Sequence, residues 1–236
     1  MQLSAKTDFA NETLHYKVMY KWGLINKQAG TVAIRLENKG PHYHGLLTAK
    51  SDSWADKVYR VRDTLRCTIV KDGLKSIFYE KISHEGSEDK HDVVRYDRSG
   101  AKVKGHCTRV AYKDGRLRKD EKRTLESYGT TVDMLTAFYY MRSLPYESWQ
   151  KGHVMTVNIF SGKRKELLTI KYLGTEQVKF EGKSFDCFRI SFIFTSDGKT
   201  KTSDDMDAWI TTSAERIPVK LEGKLPVGKV RCFYTG

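Results

Sequence analysis

The chain has 236 residues, room for one large β domain or two small ones and for a substantial core. Hydrophobic residues at 39%, charged residues at 30% and only 18 glycines and 4 prolines exclude collagen-like and low-complexity chains, and 10 Phe, 4 Trp and 13 Tyr exclude a disordered one. Forty-two Lys and Arg against 29 Asp and Glu leave a net charge of +13, a bias toward anionic partners such as nucleic acid, phospholipid head groups or acidic polysaccharide.

Leu14, Tyr16, Val18, Tyr20 and Trp22 alternate with polar or smaller partners until Gly23, a period of two that predicts a strand with one apolar face. Val32, Ile34 and Leu36 repeat the pattern, and the Asn38-Lys39-Gly40-Pro41 turn leads to a third strand, Tyr43 to Thr48. Trp54, Val58 and Val61, spaced by four and three behind Ser51 or Ser53, predict a short helix within Ser51 to Arg62. Strands resume at Leu65 to Val70, Ser76 to Ser83, Asp92 to Tyr96, Val103 to Tyr112 and Arg116 to Leu125, with Asp72-Gly73 and Asp114-Gly115 suited to tight hairpins. The stretch Lys102 to Arg123 is the most basic, with nine Lys or Arg against Asp114, Asp120 and Glu121, and reads as a solvated strand face.

A longer helix is predicted from Thr130 to Leu144. Thr130 and Asp133 have capping-box spacing, Met134, Phe138 and Met141 form the stripe that faces the sheet, and Pro145 ends it. The remaining segments are strands: Val154 to Phe160, Leu167 to Leu173, Gln177 to Phe180, Phe185 to Thr195, Met206 to Thr212, Ile217 to Glu222 and Gly228 to Tyr234. About fourteen strands with one strong helix exclude βαβ alternation. The expected architecture is mainly β: a curved antiparallel sheet or incomplete β-barrel wrapped around one amphipathic helix, with one short additional helix. Without a linker or repeat, residues 1–236 read as a single β-rich domain, with a subdivision near Gly129 as the alternative.

Cys67, Cys107, Cys187 and Cys232 are too far apart for metal knuckles or Cys-x-x-Cys redox pairs, and a core of this size needs no disulfide staples, so free thiols are expected. Gly182-Lys183-Ser184 lacks the upstream glycine of a phosphate-binding loop, Gln177 standing in its place, and the Gly-x-Ser-x-Gly elbow of serine hydrolases is absent. His42 and His44 share a strand face but want a third ligand, and Ser203, Asp204, Asp205 and Asp207 lack the glycine and distal Glu of a calcium loop. No metal, cofactor or sequence-specific nucleic-acid partner is therefore expected. No stretch approaches the roughly 18 apolar residues of a membrane span. Met1-Gln2-Leu3-Ser4-Ala5-Lys6 carries no signal-peptide core, and is also what remains when such a segment has been removed.

Val132-Asp133-Met134-Leu135-Thr136-Ala137-Phe138-Tyr139-Tyr140-Met141-Arg142 resembles the helix of a bacterial exported domain-of-unknown-function family, number 3108. Asp207-Ala208-Trp209-Ile210-Thr211, with Arg216 to Glu222 and Gly228-Lys229-Val230, resembles that family's closing hairpin, and Tyr20 to Ile25 leading to Gly30 fits its opening. The resemblance implies a secreted or periplasmic protein without assigned activity. A looser similarity, in the Trp209 to Leu221 hairpin and the strand-plus-helix layout, is to the half-barrel fold of outer-membrane lipoprotein carriers, which hold acyl chains on a concave apolar face.

Two functions follow as expectations. The first is non-enzymatic binding of an amphipathic or anionic envelope ligand, a lipid or a glycan, in a groove formed by Trp209, Tyr139, Tyr140 and Arg142, with Tyr140 and Arg142 near the rim. The alternative is a carboxylate-dependent hydrolase or glycan-modifying enzyme using Asp133, Asp205 and Asp207.

Overall fold

A computed structural model describes residues 8–196, 205–225 and 227–236. The first half is a meander of eight strands, β1 (Glu12–Trp22), β2 (Ile25–Lys39), β3 (His42–Ser51), β4 (Val61–Val70), β5 (Lys75–Glu85), β6 (Glu88–Asp97), β7 (Val103–Lys113) and β8 (Arg116–Ser127), with helix α1 (Ser53–Asp56) between β3 and β4. A short strand β9 (Thr131–Val132) and helix α2 (Met134–Arg142) follow. The second half comprises β10 (Val154–Phe160), β11 (Lys165–Phe180), β12 (Lys183–Ser196), β13 (Met206–Thr211), β14 (Pro218–Lys224) and β15 (Lys229–Tyr234). The last strand pairs with the first, so the fifteen strands form one sheet ordered β8-β7-β6-β5-β4-β3-β2-β1-β15-β14-β13-β12-β11-β10-β9. All pairings are antiparallel except β9 with β10.

The sheet curls around α2, as the alternation of apolar residues requires. Row by row, Leu36, Gly45, Cys67, Tyr79, Val94 and Cys107 stand opposite one another across β2 to β7 and turn inward. The neighbouring inner row begins apolar at Ile34, Leu47 and Leu65 and ends charged at Lys81, Asp92 and Arg109. There Arg109 donates to both oxygens of Asp92 at 2.7 and 2.9 Å, a buried pair covered by Gly162 of the β10–β11 turn. Val157, Ile159, Leu168, Ile170, Ile190 and Ala208 face α2 from the second half. The helix is thus enclosed on two sides, Leu135 and Tyr139 toward the first half and Ala137, Tyr140 and Met141 toward the second. Two inner glycines make room for this packing: a Cβ on Gly45 would stand 2.6 Å from Cys67 Sγ, and one on Gly105 2.5 Å from the Phe160 ring.

Three boundaries differ from the sequence reading. α1 is a single turn, because β3 and β4 claim the flanking residues; Asp52 takes the N-cap position and Asp56 binds Arg62. The segments expected at Leu167 to Leu173 and Gln177 to Phe180 are one strand, β11, bent by a register shift between Tyr172 and Gly174. Thr131 and Val132 extend along β10, which moves the helix start from Thr130 to Asp133.

Candidate functional site

Asp133 is the N-cap of α2 and the most densely bonded carboxylate in the interior. Its Oδ1 accepts from the N–H groups of Leu135 at 2.9 Å and Thr136 at 2.7 Å, and its Oδ2 accepts from the hydroxyls of Thr136 and Ser76, each at 2.6 Å. The Asp133 N–H in turn donates to Ser76 Oγ. These bonds satisfy the first turn of the helix and tie it to β5. Complete burial outweighs them and holds the carboxyl above the ordinary Asp range. Asp207 lies on the other face of the sheet, paired with Arg189 at 2.8 Å, and Asp205 is exposed two residues before it. The three carboxylates considered for catalysis therefore do not converge. Ser203 and Asp204 lie outside the described residues.

The groove expected from Trp209, Tyr139, Tyr140 and Arg142 is not assembled in this conformation. Arg142 is fully buried, whereas Met134 and Phe138, expected to face inward, are only half-buried. Enclosure of α2 by both halves removes the rim that a one-sided helix would have. The Arg142 guanidinium clasps Glu12 through two nitrogens and donates to the carbonyls of Arg216 at 2.8 Å and Glu215 at 2.9 Å. The Phe9 ring lies 4.9 Å from it. Tyr139 packs edge-on against Phe9, while Tyr140 faces the opposite half. Trp209 is on the outer face, in a small cluster with Val178, Cys187 and Val219. There its indole N–H donates to Glu176 and its ring is flanked by Lys220 at 3.8 Å and Arg189 at 5.2 Å. The four residues thus occupy three separate packing environments.

Three troughs on the outer face differ in charge. One of about 820 Å3 crosses β1 to β5; its cations Lys17, Arg62 and His84 are engaged by Glu181, Asp56 and Asp89, and Lys50 also lines it. A second, of about 480 Å3, is bordered by Asp205, Asp207 and Glu222 together with Lys171 and Lys224. The third, of about 840 Å3, crosses β5 to β8 and is lined by Phe78, Glu80, Val93, Arg95, His106, Lys122 and Thr124, among others, with Glu80 engaged by Arg66 and His91. Arg95 and Lys122 have no carboxylate partner among the described residues, and Arg95 lies 5.4 Å from the Phe78 ring centre. Cross-strand pairing of Phe78 with Arg95, Arg95 with His106, and His106 with Thr124 builds this surface. The sequence reading noted the basic segment but missed the trough, because Phe78 and Arg95 join it only once the register of β5 to β8 is known.

These features define a helix-plugged, β-barrel-like protein with a cation-lined outer trough. A family described as a protein of unknown function, DUF3108, matches residues 15–234, and the chain belongs to it. Among solved structures, a β-barrel-like protein of domain of unknown function DUF1849 from Brucella abortus superposes with a TM-score of 0.65 at 12% identity, covering 96% of each chain, and has the same fold. The lipoprotein LppX of Mycobacterium tuberculosis aligns over 94% of this chain and 84% of its own at 11% identity, with a TM-score of 0.28. No curated protein matches the chain. Among the described residues no helix is long and apolar enough to cross a membrane.

Proposed function

We propose that this protein is an exported, non-enzymatic binding protein of the bacterial envelope that holds an anionic or amphipathic ligand, a lipid or a glycan, in the β5–β8 trough. One observation carries the reading: two cations without carboxylate partners among the described residues, Arg95 and Lys122, stand over an apolar floor of Phe78 and Val93. A phosphate or carboxylate would pair with the cations, and an acyl chain or sugar face would lie on the floor. Export is inferred from the resemblance to an exported family. Trp209, Tyr139, Tyr140 and Arg142 are assigned framework roles, since their burial leaves no ligand-accessible surface between them.

The test uses two soluble probes, dihexanoyl phosphatidylglycerol and a uronic-acid oligosaccharide, with binding read by calorimetry at low and moderate salt. One of them binds with micromolar affinity that weakens as salt rises, and Arg95→Ala with Lys122→Ala lowers that affinity at least about tenfold, as loss of two charge-assisted contacts requires. Failure of both probes to bind at millimolar concentration, or affinity unchanged in the double variant, overturns the assignment. Cell fractionation of the native gene product checks export, and retention in the cytoplasm refutes that part.

A further inference from the structure

The turns joining β1 to β2 and β14 to β15 lie at one end of the strands and touch. Tyr20 donates its hydroxyl to the Val227 carbonyl, Arg231 donates to Asn26, and a Cβ on Gly228 would stand 2.4 Å from the Lys21 carbonyl. Together the two tips present Trp22, Leu24, Ile25, Leu225 and Val227 to solvent; Leu24 is fully exposed and Trp22 more than half. Single exposed apolar residues are ordinary, but five on two abutting tips need a partner. Lys21, Lys27, Lys224 and Lys229 flank them, with Glu222 as the acid at their side. Between the tips, Lys21, Trp22, Glu222, Lys224, Lys229 and Arg231 border a notch of about 430 Å3, in which Glu222 engages Lys229 and leaves Lys21 and Lys224 as its other lysines.

We propose that this double tip is a docking surface for an anionic phospholipid bilayer, with the apolar residues entering the head-group region and the notch receiving a lipid phosphate. An apolar cap ringed by lysines matches the layering of a membrane interface, where an amphipathic tryptophan sits at head-group depth and cations meet anionic lipid. Each lysine near such a surface contributes about fivefold in partitioning. A second copy of the chain is disfavoured, because it would bring the same lysine ring against itself.

Co-sedimentation with vesicles of phosphatidylcholine and phosphatidylglycerol at a 7:3 ratio, against vesicles of phosphatidylcholine alone, tests the proposal. The protein binds the mixed vesicles and partitions at least about tenfold less into the neutral ones, and high salt weakens the difference. Leu24→Asp lowers binding at least tenfold, as does Lys21→Glu with Lys224→Glu, without loss of thermal stability because these side chains are exposed. Brominated lipid quenches the native fluorescence, and Trp22→Phe abolishes most of that quenching while retaining vesicle binding. Arg95→Ala with Lys122→Ala leaves vesicle binding within about threefold, and Leu24→Asp leaves soluble-probe binding unchanged, so this surface and the trough stand or fall separately. Equal binding to both vesicle types, no binding to either, or a self-associating protein that Leu24→Asp makes monomeric would overturn the proposal.

Discussion

At the scale of single residues, Asp133, which the sequence offers as a helix cap and alternatively as a catalytic carboxylate, and Arg142, expected at a groove rim, both hold the fold. Removing Asp133 strips the cap from α2 and leaves Ser76 and Thr136 without their buried acceptor. Asp133→Ala is expected to destabilise by about 2–4 kcal/mol, more than an exposed cap, measured by denaturant unfolding. Burial raises the Asp133 carboxyl, so its contribution to stability is complete at pH values below the ordinary Asp range and declines as pH rises through the raised value. Asp133→Asn should remove that decline, and an identical pH profile for the variant would show that Asp133 does not titrate as described. Arg142→Met leaves Glu12 unpaired and should cost about 3–5 kcal/mol, part of it recovered when Glu12→Gln is added; strict additivity of the two changes would deny the coupling. The cysteines are all free, and burial lifts Cys107 and Cys232 to about 11 and Cys187 to about 12. Native protein should therefore resist alkylation at neutral pH, whereas four thiols react after unfolding without reductant.

At the scale of elements, what was legible in the sequence followed from side-chain alternation. β1 and β2 repeat an apolar residue at alternate positions, and Gly23, Gly40, Gly73 and Gly115 punctuate the meander, so strand identity and hairpin order could be read locally. The environment of α2 could not. A stripe of Met134, Phe138 and Met141 implies one buried face, whereas burial of Tyr140 and Arg142 depends on a second half of sheet arriving from residues 154–234. The same distance in sequence hid the trough, which needs four strands in register, and the double tip, which joins residues about two hundred positions apart. One close contact between the halves is that of Phe160 of β10 with Gly105 of β7. Gly105→Ala is expected to destabilise by about 1–3 kcal/mol through overpacking, with Phe160→Leu restoring part of the loss in the double variant. Equal stability of Gly105→Ala and the parent would mean that the halves yield freely at this contact. β8, the long free edge, carries Arg116, Arg118, Lys119, Lys122 and Arg123, charges that discourage edge-to-edge pairing with another chain.

For the molecule as a whole, the connectivity bears on whether a boundary near Gly129 divides it. The halves are continuous through the β1–β15 pairing, share α2 between their cores, and are clamped by Arg142, which joins Glu12 of the first half to the Glu215 and Arg216 carbonyls of the second. Neither half can shed these contacts without exposing one side of α2, so the chain is proposed to unfold as one cooperative unit. Two single-tryptophan proteins test this, one keeping Trp54 beside β2 and the other Trp209 in β13, with the remaining tryptophans replaced by Phe. Because such replacements shift overall stability, each fluorescence transition is compared with far-ultraviolet circular dichroism on the same variant rather than across variants. Coincident midpoints and slopes in both proteins are expected. A Trp54 transition separated from the circular dichroism curve, with a second step at higher denaturant, would instead assign the halves on either side of Gly129 as independent domains meeting at a docked interface.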